Sequence, residues 1–324
     1  NNVMPEKTTQ NQWRDVLSKI NKSPLSSNLS RFQKPDWLPP KLKQVDRLTG
    51  LPILNSETRN ILVGELSQCI KNNEKWACLY MDADQLKTAN DRHGRSFGDA
   101  YINWETTTTI DTLEKASLTD KTTVRMVRPS HAADEVIIWF FNLTDEDMQK
   151  IHKIQESVGT PVSIPELSFT FSLSAGLLTS DDYAIKDSLN NTQKYLLSDP
   201  KTQPFELFQV IEEKTEELAK VEKIAKDLHR LPLAELMQQK NISALITVMK
   251  NNLGGSRISE HLLELILKLQ SIQTIRLLGN HIDNKIYREM LTGLGVKAED
   301  LNNVESPNKL ISLFRNLFGE IDEE

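Results

Sequence analysis

Cysteine is scarce in this chain. Only Cys69 and Cys78 occur among 324 residues, without the C-x-x-C spacing of a zinc or redox site. Two buried thiols in a reducing compartment are expected rather than a disulfide. Positive charge is also in deficit. Lys and Arg number 39 against 45 Asp and Glu, a formal net charge of −6, which excludes a broad basic groove for nucleic acid and confines any nucleotide contact to a local site. Long apolar runs are missing too. The run at residues 137–141 falls far short of the roughly 20 residues of a membrane helix, and no secretory pattern is visible. A soluble cytoplasmic protein with no membrane insertion is the expectation.

What is present is a dense polar stretch at residues 79–100, LYMDADQLKTANDRHGRSFGDA. The apolar run from Trp76 to Met81 reads as a buried strand. Asp82 leaves its end and Asp84 follows. A short polar helix with Lys87, Asn90 and Asp91 comes next and breaks at Gly94. Gly98-Asp99 then opens another helix, whose acidic first turn suits the dipole. Hard oxygen donors at a strand end, followed by a loop and a helix start, fit Mg²⁺ and a nucleotide, because Mg²⁺ takes one or two carboxylates plus phosphates. Downstream, TTVRMVR (122–128) and VIIWFF (136–141) are β-rich and flank PSHAADE. They predict a hairpin with Asp134 and Glu135 at its turn.

In order and in register, these segments resemble the GGDEF domain of diguanylate cyclases. The family's D-x-L-T-G-L appears at residues 46–51. Its D-x-D-x-F-K-x-x-N-D-x-x-G-x-x-x-G-D runs from Asp82 to Asp99, with Leu86 for phenylalanine. Its name motif appears as Ala132-Ala133-Asp134-Glu135-Val136, and its T-V-S-x-G strand resembles residues 170–176. The resemblance implies an α+β fold, a palm-like mixed sheet flanked by helices. It also implies GTP as ligand and Mg²⁺ as cofactor. Metal ligands would be Asp82, the carbonyl of Ala83, Asp134 and Glu135, with Asp134 and Glu135 the catalytic pair if the site is active. Asn90 and Asp99 would bind the guanine edge and Lys194 a phosphate. The chemistry is metal-assisted phosphoryl transfer between two facing GTP sites.

The sequence departs from the family at telling places. Both glycines of the name motif are alanine, Ala132 and Ala133. Glycine serves where a turn needs φ > 0 or where backbone approaches a ligand, and a left-handed alanine costs about 1–2 kcal/mol. Val136 replaces an aromatic, and Ser130-His131 replace an arginine and an aromatic. Ser198 stands where a second phosphate contact belongs. Thr123 and Met126 occupy the key positions of the R-x-x-D product-inhibition motif. The expectation is a degenerate domain with a reshaped turn, little or no cyclase activity and no product feedback, acting as a scaffold that still binds guanine nucleotide. Two alternatives stand beside it: a working cyclase that condenses two GTP into cyclic di-GMP, and a structural subunit of a larger bacterial complex. Taken singly, Asp82 and Asp84 could cap a helix, Asn90 could end one, and Asp134, Glu135 and His131 could be plain turn residues.

Around this core, residues 1–43 read as a polar, proline-punctuated linker with one short helix near Trp13. Helices are expected at 56–71, 97–116, 145–157 and 182–197, and a strand at 169–178. The domain is placed at 44–203. From 204 to 324 strand signals vanish and helical stripes recur, predicting an all-α domain that docks an unidentified protein partner.

Overall fold

The computed structural model describes residues 32, 36–42, 44–131, 133–158, 160–181 and 204–231, together with 235 and 244. The chain divides into two compact units, residues 1–219 and 220–324. The expected helices near Trp13 and at 182–197, and the helical region beyond 244, lie outside the described residues.

Helix α1 (Ser56–Lys71) begins on Asn55, whose side chain accepts a bond from the Thr58 amide at 2.9 Å. The cap lies just before the helix expected from residue 56, and it satisfies an otherwise orphan amide. Strand β1 (Lys75–Ala83) follows, then α2 (Leu86–His93), α3 (Arg95–Ala116), β2 (Thr123–Val127), β3 (Glu135–Leu143) and α4 (Asp145–Val158). The strand expected from Phe169 is two elements. β4 (Val162–Ile164) and β5 (Phe169–Phe171) make a small separate hairpin, and β6 (Leu173–Thr179) joins the main sheet. Helix α5 (Pro204–Arg230) comes last. Among the described residues no helix is long and apolar enough to cross a membrane.

The main sheet has the order β2-β3-β1-β6, and every adjacent pair is antiparallel. Side chains alternate across it. Ala77, Leu79 and Met81 of β1 meet Ile110, Leu113 and Ile151 from α3 and α4 on one face. Trp76, Cys78 and Tyr80 meet Leu62 and Leu66 of α1 on the other. Both faces are covered, so β1 and β3 read as continuous apolar runs and not as alternating ones. A third cluster, with Tyr101 stacked on Phe171 at 4.3 Å, ties the start of α3 to the end of β1.

The second face is completed by α5. Sequence composition places a boundary at Pro204, yet Leu207, Phe208, Ile211 and Ala219 belong to the sheet's core, and Phe208 stacks on Trp139 at 4.4 Å. The helix comes unusually close to β6 at Gly176. A Cβ there would lie 2.3 Å from the Thr215 carbonyl oxygen and 2.5 Å from the Ala219 amide nitrogen.

Candidate functional site

The carboxylates singled out from sequence meet at the end of β1. Asp82 lies directly opposite Glu135 in the β1–β3 register and opposite Ser174 in the β1–β6 register. Such facing residues hold their Cβ atoms about 4.5–5.5 Å apart. The Ala83 amide donates to the Asp134 carbonyl at 3.2 Å, which carries Asp134 to the same strand end. The Tyr80 phenol bonds to Glu135, and Glu216 of α5 adds its charge nearby. Burial pushes the Glu135 carboxyl above its usual range, and the charges of Asp134 and Asp82 push it further against the Tyr80 bond. Crowded carboxylates of this kind are relieved by a cation.

The donor set fits Mg²⁺ chemically: hard carboxylate oxygens with an adjacent backbone carbonyl at Ala83. Among the described residues, however, no three His, Cys, Asp or Glu side chains stand ready as a preformed cage.

The second aspartate of the pair has a different task. Asp84 is buried and accepts the Ser172 and Ser174 hydroxyls, each at 2.6 Å. The Tyr101 hydroxyl lies 2.8 Å from the Asp84 carbonyl oxygen and 2.7 Å from that of Ser172. Asp84 therefore latches β1 to β6 and α3; it does not cap the following helix. Paired serines flanking Leu173 were the available sequence signal. Tyr101→Phe removes a donor to the Asp84 carbonyl and the acceptor of the buried Ser172 amide, which donates to the Tyr101 hydroxyl at 3.1 Å, and is expected to cost about 1–3 kcal/mol in urea unfolding; a change below a few tenths would contradict the latch.

The two guanine candidates flank the α2–α3 junction. Asn90 sits on α2 and Asp99 is exposed at the fifth residue of α3, which opens at Arg95 and not at Gly98 and has no acid in its first turn. A Cβ on Gly98 would fall 1.9 Å from Asn90 Oδ1, so the glycine makes room for that side chain. Asn90 Oδ1 is buried and has no hydrogen-bond partner among the described residues. Lys194 and Ala132 lie outside the described residues. Ala133 is only 8 % exposed and does not adopt a left-handed backbone. The strain expected of alanine is thus absent at this position, and the Ala133 amide donates to the Ser130 carbonyl at 3.4 Å. His131 leans toward Asp46, Nδ1 3.8 Å from Oδ1, and remains exposed.

Two functional groups were missed from sequence. Arg128 and Asp46 form an ion pair at 2.7 Å with side chains 1 % and 2 % exposed. Burial pushes the Asp46 carboxyl up, but donors from Thr49 and Arg128 outweigh it and hold it below the ordinary range. The signal was an arginine directly after the apolar end of β2.

The other is Glu105, fully buried on α3. Burial first, then the charges of Asp82, Asp134 and Glu135, raise its carboxyl well above the ordinary 4.5 against the pull of Arg128. It stays protonated in the folded chain at pH values where the unfolded chain has lost that proton. The resulting stability is complete below 4.5 and is lost as pH rises through the raised value, by up to about 1.4 kcal/mol per pH unit. Glu105→Gln is expected to flatten the fall of the urea midpoint over that window; an unchanged slope would remove the assignment.

Comparison with known proteins decides the family. The family model described as "Diguanylate cyclase, GGDEF domain" matches residues 43–198. Residues 43–198 are a GGDEF domain. The GGDEF domain of TpbB (YfiN) from Pseudomonas aeruginosa is 18% identical over 56% of this chain and 88% of its own, with a TM-score of 0.37. That of DgcB from Caulobacter crescentus, in complex with c-di-GMP, is 13% identical over 55% and 86%, with a TM-score of 0.37. The diguanylate cyclase SiaD from Pseudomonas aeruginosa, in complex with its activator SiaC, is 19% identical over 52% and 62%, with a TM-score of 0.32. No curated protein matches.

Proposed function

We propose that this GGDEF domain binds guanine nucleotide and Mg²⁺ but turns over little or no GTP, and that the protein acts as a scaffold through the region after residue 204, which the sequence patterns as helical. The supporting observation is Ala133, packed at 8 % exposure directly before Asp134, where the family motif has a bare glycine for backbone to approach the triphosphate. Asp82 and Glu135 would hold the ion with the Ala83 carbonyl, and Asp134 would share in it. When bound, Mg²⁺ neutralises phosphate charge and acidifies an attacking hydroxyl. Asn90 would offer its amide as donor and acceptor and Asp99 a carboxylate acceptor to the guanine edge, with Gly98 leaving room for the Asn90 side chain.

The test is direct. Purified chain with GTP and Mg²⁺ is expected to form no cyclic di-GMP above background, while its melting temperature rises. Asp82→Asn should remove that rise. Gly98→Ala should displace Asn90 and weaken nucleotide binding by about tenfold, equivalent to 1.4 kcal/mol, read by calorimetry. Cyclic di-GMP at ordinary turnover would overturn the reading. One observation favours the alternative of a working cyclase: Ala133 sits without left-handed strain. In that case Asp134→Ala abolishes product.

A further inference from the structure

We propose that Arg128 is a two-position side chain, which leaves Asp46 for Glu105 and so shifts the fastening of β2 from the segment before α1 to helix α3. The alternation of the strands puts Arg128 and Glu105 on one face of the sheet. Met126 packs in the cluster of Met81 and Val127 in that of Tyr80. Arg128 continues the extended chain, bridged to Ile53, and returns to the Met81 face. Its height follows from the register. Val127 faces Ile137, and the next residue along, Val136, faces Met81. Helix α3 meets the same face at this height, with Thr109 Oγ1 3.6 Å from Met81 Sδ. Glu105 is one turn earlier on the same side of the helix, its carbonyl accepting the Thr109 hydroxyl at 2.7 Å. Asp82 and Glu135, paired with each other two residues beyond Tyr80, stand on the opposite face.

Both side chains carry polar atoms without a use. Glu105 is 0 % exposed, and neither carboxyl oxygen has a hydrogen-bond partner among the described residues. Arg128 is equally buried, and its Nε has none either. A guanidinium offers five donors in a fixed fork; Asp46 takes Nη1 at 2.7 Å, which leaves Nε for a second carboxylate. Asp46 depends less on the pair, because the Thr49 amide and hydroxyl still donate to it at 2.9 and 2.8 Å. Glu105 makes no demand on Arg128 while it holds its proton. Once that proton passes to solvent, the carboxylate is a buried charge in need of a partner. Burial acts on it most, Arg128 is the cation that opposes burial, and Asp82, Asp134 and Glu135 add like charge from the strand end. Tyr101 lies one turn away on its own helix, and His131 stands beyond Asp46 at 3.8 Å. Arg128 is therefore the group that answers Glu105, and its departure loosens the hold on the segment before α1.

The experiment uses the full chain. Urea unfolding at neutral pH compares Asp46→Asn, Glu105→Gln and the double variant. With Glu105 present, Arg128 keeps a partner when Asp46 loses its charge. The unfolding constant of the double variant should then exceed the product of the two single changes by about tenfold or more, equivalent to ~1.4 kcal/mol. Changes that simply multiply overturn the proposal. A second measurement needs no Asp46 variant. The Arg128 Nε–H signal in the nitrogen-15 spectrum of labelled wild type should move downfield as pH rises and Glu105 ionises. Glu105→Gln, which keeps the shape of the neutral side chain, should hold that signal still. A signal that stays put in wild type, or moves equally in both proteins, also overturns it.

Discussion

Arg128→Met is expected to destabilise the domain by about 3–5 kcal/mol, enough to leave much of it unfolded. The substitution strands Asp46, which is 2 % exposed and meets Arg128 at 2.7 Å. Breaking a buried ion pair from one side costs this much because the survivor stays charged in a medium that solvates it poorly. Thr49 still donates its amide and hydroxyl to Asp46, so the loss should fall short of a wholly naked charge. The backbone of Arg128 is also held, its amide bonded to the Pro52 carbonyl and its carbonyl to the Leu54 amide, at 2.9 and 2.8 Å. The pair therefore fastens the segment before α1 to the end of β2, next to the turn that carries Asp134. Pairing Arg128→Met with Asp46→Asn should recover a large part of the loss, since no lone charge remains. Urea unfolding of the two singles and the double measures the coupling. A single-mutant loss under about 1 kcal/mol would show that water reaches the pair.

Gly176→Val comes second in size. Any Cβ at this position meets helix backbone at 2.3 and 2.5 Å and Leu218 Cβ at 2.9 Å. The obstructing atoms are main chain, so no rotamer change relieves the clash. Helix α5 must move off β6, and the stack of Phe208 on Trp139 goes with it. Overpacking of this kind costs about 1–3 kcal/mol, and peeling the helix exposes apolar surface in addition. The expected result is a lowered urea midpoint with a shift in tryptophan fluorescence and early proteolysis within α5. Gly64→Ala on α1 is the control. Nothing lies within 4 Å of its added Cβ, and helix propensity favours alanine by up to about 1 kcal/mol. If both substitutions behave alike, the close contact at Gly176 is not what holds α5.

The chemistry of the strand end was legible because it is written in short-range order. Asp82 follows an apolar run directly, and Asp134 and Glu135 precede another, so hairpin geometry alone brings the runs side by side. The helix starts were legible for the same reason, though the Asn55 cap shows how a one-residue shift escapes composition. Glu105 was not read, although Phe97, Tyr101, Thr109 and Leu113 mark the buried stripe of α3 into which its spacing falls. A glutamate between apolar neighbours looks like a surface residue until burial is known.

The sequence by itself determined the family motifs, the order of elements from α1 to α4 and the acids that end β1 and open β3, since each depends on residues close along the chain or on ordered motifs. Only the tertiary structure decided that Asp46 answers Arg128, that Asp84 latches strands, that Glu105 is buried, and that α5 covers the sheet over Gly176. Those pairings join positions remote in sequence, and their free energy comes from desolvation and close packing. Neither exists until the chain has folded.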